Sequence, residues 1–157
     1  MSPVLEVPVS SIRAFAAGAF LLSIAVPGAA FARASPGLLG SPFNPSDASC
    51  FTSYYGSIMN LCSTTKTWCM PAVVDAAGPY TVNVVAYAPS VSSSVGCHAT
   101  GVNDAISTVW SSGMRYVSSF GSGARYIALS GAFVPGNGQL YVCCDVGAGA
   151  GVNGLLW

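Results

Sequence analysis

Charge is the scarcest thing in this sequence. Of 157 residues, five are Lys or Arg, five are Asp or Glu, and one is His. Glu6 is the only glutamate. Exposed helix faces normally draw on Glu, Lys and Arg, so a chain this poor in them does not read as helical. From residue 33 onward Arg33, Lys66, Arg115 and Arg125 stand against Asp47, Asp75, Asp104 and Asp145, and they cancel. No basic patch is available to track phosphates, which disfavours nucleic acid as a partner. No acidic run suggests a cation store. Also missing are a CxxC pair, a His cluster, an HExxH helix and a DxDxDG loop, so neither a metal nor another cofactor is expected. A GxSxG nucleophile elbow is absent too.

What the chain does have is an apolar N-terminal run, six cysteines and many β-prone residues. Arg13 precedes the run Ala14 to Val26, 13 residues long, against the roughly 20 needed to span a bilayer. Pro27 and Gly28 break it, and Ala30-Phe31-Ala32 offers small residues where signal peptidase reads. Residues 1–32 are therefore expected to be a cleaved signal peptide. The mature chain should be secreted or periplasmic, without stable insertion in a membrane. The stretch before Arg13 is long for such a signal, and Ala32-Arg33-Ala34 is a second possible cut, so the true start codon and the cleavage site stay open. Residues 33–49 hold three prolines and no periodicity, which reads as a mobile leader. Residues 50–157 then make one domain with a core of its own.

The six cysteines, at 50, 62, 69, 97, 143 and 144, all follow the export signal. An even number in that context predicts three disulfides formed in an oxidising compartment. Cys143 and Cys144 adjoin in QLYVCCDV, a strand-like run. Leu140, Val142, Cys144 and Val146 make its apolar face, while Tyr141, Cys143 and Asp145 make the other. Cys144 should bond in the core and Cys143 at the surface. A vicinal 143–144 bond would fight strand geometry.

From Cys50 the chain alternates short β-rich runs with Gly, Pro, Ser and Asn. The runs are Thr52 to Leu61, Thr67 to Val74, Pro79 to Ala88, Val95 to Gly101, a less certain stretch from about Ile106 through Phe120, Ala124 to Val134, Gln139 to Val146, and Gly151 to Trp157. Met114 to Phe120 is either a continuation after a bulge or a partner strand. PGNG, Pro135 to Gly138, is a strong hairpin signal. About eight antiparallel strands spaced this way predict an all-β, disulfide-stapled β-sandwich, jelly-roll or immunoglobulin-like. An eight-stranded outer-membrane barrel is disfavoured, because these strands fall short of the roughly 9–11 residues such a barrel needs.

The order Cys50, YYGSIMN (Tyr54 to Asn60), Cys69-Met70-Pro71, YTVNVVAY, Cys97 and LYVCCDV resembles a loosely defined group of uncharacterised exported bacterial proteins of about 130 residues. They share a Cys, a Tyr/Trp-Gly-x-x-Asn segment, a Cys-Pro, a middle Cys and a late Cys in a strand. The resemblance covers residues 50–157 and implies a β-sandwich without an established activity. Met70 between Cys69 and Pro71 departs from the pattern, as does Gly147 after Asp145-Val146. Against that four-cysteine pattern Cys62 and Cys143 look like additions, which implies that they pair with each other. A jelly-roll strand order implies otherwise. There Cys69 and Cys97 flank the 143–144 strand, and Cys50–Cys62 is a local bond. Six cysteines allow 15 pairings, and the sequence does not choose.

For chemistry, His98 is the general-base candidate, with Asp104 or Asp75 as conceivable triad partners. The aromatics are the stronger lead. Trp68, Trp110 and Tyr141 are the candidate ligand-binding residues, since strand parity or polar neighbours leave them outward. The expected function is an exported, non-enzymatic binding or structural module, with a glycan or protein surface as partner and a glycan foremost. A small secreted hydrolase using His98 and a fimbrial or surface subunit are the alternatives.

Overall fold

The computed structural model describes residues 33–157; the signal-peptide reading lies outside them. In chain order the strands are β1 (Ala34–Pro36), β2 (Ser41–Pro42), β3 (Phe51–Tyr54), β4 (Ser57–Asn60), β5 (Lys66–Ala72) and β6 (Gly78–Tyr87). They continue as β7 (Val95–Val102), β8 (Val109–Ser111), β9 (Arg115–Tyr116), β10 (Arg125–Val134), β11 (Gln139–Val146) and β12 (Gly151–Leu156). Two six-stranded sheets result. One runs β10-β6-β12-β4-β3 with β1 on β12; the other runs β2-β5-β11-β7-β8 with β9 on β7. Every strand pair is antiparallel. The fold is the disulfide-stapled β-sandwich that the alternating runs predicted.

The core is the sum of the inward parities. β11 contributes Leu140, Val142, Cys144 and Val146, and β6 contributes Val82, Val84 and Ala86; all are buried. Ile127, Leu129, Ala132 and Val134 line β10. Their alternation survives a one-residue register shift between Ser130 and Ala132, where Gly131 takes φ 93°. A bulge there absorbs the extra residue without turning the apolar set to solvent.

β11 lies between β5 and β7, and its adjacent cysteines serve one neighbour each. Cys143 is opposite Cys69 of β5 and bonded to it; Cys144 is opposite Cys97 of β7 and bonded to it. Both pairs have Cα atoms 4.0 Å apart, the close spacing of pairs that exchange no backbone hydrogen bonds. A residue in a central antiparallel strand turns its N–H and C=O to one neighbour and makes its close pair with the other. The next residue reverses both that choice and the face of its side chain. Two successive cysteines are thereby sent to two strands and two faces. Cys97 and Cys144 are fully buried and Cys143 is half-exposed, as the parity of the strand predicted. The third bond joins Cys50 to Cys62. The pairing of Cys62 with Cys143 implied by the family resemblance is therefore wrong, and the jelly-roll order was the right guide.

Several local expectations need correction. Residues 33–49 are not a mobile leader. β1 pairs with β12 in one sheet, β2 pairs with β5 in the other, and the 3-10 turns Gly37–Leu39 and Pro45–Cys50 sit between and after them. The run Thr52 to Leu61 is a hairpin, not one strand: Tyr54 is paired with Ser57, and Tyr55 and Gly56 make the turn at φ 46° and 89°. PGNG reverses the chain, with Gly138 N donating to Pro135 O at 2.9 Å, but it joins β10 to β11 across the two sheets instead of closing a hairpin. β8 and β9 both pair with the same edge of β7, one residue out of register, so they are one edge strand continued after a bulge.

Candidate functional site

The three aromatics singled out from the sequence end up in three different places. Trp68 is only 8% exposed. It lies opposite Cys144, on the inward parity of β5, where its ring packs on Phe51 with centroids 4.7 Å apart. Its indole N–H donates to Gly37 O at 2.9 Å. Trp68 is thus mainly a core residue, with only a small part of its ring reaching a cavity lined by Leu38, Pro42 and Phe51. Trp110 is half-buried at the sheet edge and meets Phe133 edge-on at 5.8 Å, bridging the two sheets. Tyr141 alone stands on an open face, beside Pro71 of β5 and Thr100 of β7.

That face leads into a groove. The β5–β6 connection and the β10–β11 connection face each other at one end of the sandwich. Between them lie two adjoining cavities of about 280 and 350 Å³, which share Val74 and Gly138 as lining. Pro71, Val73 and Tyr141 supply the apolar wall of the first, with Gln139 beside them. Asp75 and Asn137 line the second. Tyr141 hydroxyl donates to Gln139 Oε1. Asn137 adopts φ 59°, a left-handed conformation that asparagine accepts more readily than most residues.

The groove is held from behind. Trp157 donates its indole N–H to Val73 O at 2.9 Å, and the Arg33 guanidinium donates to the same oxygen at 3.2 Å while pairing with Asp75. The Asp75 side chain stays 74% exposed and keeps lone pairs for a ligand. Sequence reasoning found Tyr141 but missed Asp75, Asn137 and Gln139 as its companions. Asn137 sits in PGNG, which marked a turn, and the turn had to be placed against the β5–β6 connection before its side chain meant anything.

His98 is half-buried on the outer face of β7, opposite Cys143. Each of the four aspartates has a different partner. Asp145 accepts from the Thr67 hydroxyl at 2.7 Å, and Asp47 pairs with Lys66 at 2.7 Å. Asp75 pairs with Arg33, and Asp104 accepts from Ala105 N at 2.8 Å. Among the described residues, none of these aspartates is hydrogen-bonded to His98. Among the described residues no three His, Cys, Asp or Glu side chains gather as a metal site, and no helix is long and apolar enough to cross a membrane.

Fold and groove together define an antiparallel β-sandwich module with a polar-aromatic depression at one end. No protein-family model matches the chain, and no curated protein matches it. Among solved structures it is similar to Podospora anserina GH26-CBM35 β-(1,4)-mannanase, with TM-score 0.53 and 7% identity over 80% of this chain and 27% of that one. The chain therefore spans about a quarter of the mannanase, and the likeness is one of fold. The structure of TmCBM61 with β-1,4-galactotriose matches at TM-score 0.43 and 13% identity, covering 82% of this chain and 88% of that one. The carbohydrate-binding module CBM6cm-2 of Cellvibrio mixtus lichenase 5A, in complex with cellotriose, matches at 0.46 and 11%, covering 79% and 94%.

Proposed function

We propose that this chain is an exported, non-enzymatic glycan-binding module related to the uncharacterised exported sandwich proteins it resembles. The observation that carries the reading is the succession of Tyr141 and Pro71, then Gln139, Asn137 and Asp75, along one groove. A sugar ring has an apolar C–H face and a rim of hydroxyls. A tyrosine ring suits the face. Amides and a carboxylate, acting as donors and acceptors, suit the rim. The fold shared with a CBM35-bearing mannanase points the same way. Three disulfides fit an oxidising compartment, which supports export.

The test is titration of the protein with cellotriose, mannotriose and β-1,4-galactotriose. Tyr141→Ala should weaken the binding at least about tenfold, the loss of one well-packed contact worth about 1.4 kcal/mol. Its melting temperature should barely move, because the ring sits on an outer face. Wild-type affinity in Tyr141→Ala would remove this groove as the site.

A surface subunit is the second reading, and the edge strand β3 favours it. Phe51–Tyr54 has no charged residue to block pairing with another copy. Tyr54 at its end is exposed, as are Leu38, Leu39 and Phe43 before it and Tyr55 after it. Concentration-dependent assembly in sedimentation velocity would favour that reading; a monomer at all concentrations would exclude it.

A further inference from the structure

We propose a second saccharide site, on the outer face of the opposite sheet, selective for uncharged pyranose rings; it rests on the reading of the chain as a glycan binder. The geometry begins with a row across three strands. Met59 of β4 and Tyr87 of β6 both lie opposite Gly151 of β12. With no side chain at Gly151, the row is a depression with Met59 and Tyr87 as walls. A Cβ on Gly151 would come within 2.6 Å of Ile58 O, so the sheet itself forbids filling the floor.

Asn153 follows on the same strand. The β12–β6 register slips between Val152 and Gly154, which makes Asn153 the extra residue of a bulge. Bulges re-aim side chains, and Asn153 is exposed beside the depression it lines. The β9–β10 connection closes the far side through Ser122 and Gly123. Gly121 N ties that loop to the end of β6 by donating to Ala88 O at 3.0 Å, and the Arg125 guanidinium braces it by donating to Phe120 O at 3.3 Å. The depression is open to solvent, with a volume of about 420 Å³ against 280 and 350 Å³ for the two cavities of the Tyr141 groove.

The chemistry of the lining chooses the ligand. No charged side chain lines it. Tyr87 supplies an aromatic wall, Asn153 a donor and acceptor pair, and Ser122 a hydroxyl. A charged ligand would lose its hydration against such a wall with no lining charge to replace it. A neutral sugar would not. The nearest charge, the Arg125 guanidinium behind Gly123, is turned to the loop carbonyls of Phe120 and Ala124. The two sites occupy different sheets and different faces, so one molecule could hold two glycan chains at once.

The experiment is an NMR titration of the isotope-labelled protein, disulfides intact, with cellotriose, mannotriose and β-1,4-galactotriose in turn. Amide shifts at Tyr87, Ser122 and Asn153 are expected with an affinity different from those at Gln139 and Tyr141. They should be indifferent to salt. Asn153→Ala and Tyr87→Ala, checked as folded by their own spectra, should each cut affinity at this face about tenfold and leave the Tyr141 groove unchanged. Shifts confined to the Tyr141 groove would overturn the second site and leave the proposed function standing. Shifts confined to Tyr87 and Asn153 would establish the second site and move the function away from Tyr141. No shifts at either face with any of the three sugars would overturn both.

Discussion

Fully enclosed at the end of β4, Asn60 donates its amide to Val146 O and Thr64 O, both at 2.8 Å, and accepts from Cys62 N at 2.9 Å. Three backbone groups, two from the β4–β5 loop and one from the end of β11, depend on one side chain. Asn60→Ala would orphan all of them, and Asn60→Leu would add overpacking. Either should cost about 2–4 kcal/mol in urea unfolding; a loss below about 1 kcal/mol would mean that water replaces the amide. Tyr55 makes the opposite case. It holds φ 46° at the tip of the β3–β4 turn and is 94% exposed. Tyr55→Asn should therefore stabilise the fold by about 0.5–1 kcal/mol, read as a rise in melting temperature. Trp68 shows what residue-level reading can and cannot reach. Its alternation with Cys69 was visible in the sequence. Which of the two faced inward depended on whether Cys69 met Cys143 or Cys144, and only the register settles that.

At the scale of elements, strand identity was mostly legible and strand partnership was not. β5, β6, β7, β10, β11 and β12 all overlap runs marked by alternation and turn residues, with β5, β6 and β7 each reaching one residue beyond. The β3–β4 hairpin escaped notice because a tyrosine occupies a turn position where asparagine or glycine is usual. PGNG misled in another way: turn chemistry says that a chain reverses, not which sheet it then enters. The disulfides are element-level devices, and their ring sizes rank them. Sequence separations are 74, 47 and 12 residues for Cys69–Cys143, Cys97–Cys144 and Cys50–Cys62. By chain entropy the first two are each worth about 4 kcal/mol and the last about 3. Removing Cys97 and Cys144 together should be the most damaging, since both are fully buried and their loss also opens the core. Paired Ala variants in denaturant melts should give that order, with Cys50–Cys62 the mildest. Equal losses for all three would contradict it.

For the whole molecule, the segment before β3 works as a latch. β1 adds to one sheet and β2 to the other, and Gly37 between them accepts the Trp68 indole N–H. A Cβ at Gly37 would lie 2.4 Å from Val152 O, so the contact tolerates glycine alone. Three prolines made this stretch look mobile, because the hydrogen bonds that hold it come from strands far along the chain. Deleting residues 33–42 should lower stability by about 3 kcal/mol through exposure of Trp68 and the β12 edge, not merely trim an end. Calorimetry on the truncated protein checks this, and an unchanged melting temperature would refute it. The pair at Cys143 and Cys144 also imposes an order in time. On the proposed export route, Cys50 can find Cys62 as soon as that short stretch reaches the oxidising side. Cys69 and Cys97 must then wait as free thiols until most of the sandwich has followed, with each other as the nearest wrong choice. A chain exported this way should therefore fold in higher yield with a thiol–disulfide exchange catalyst present to undo that early mistake. In a cell that lacks one, its yield would fall well before its finished stability mattered.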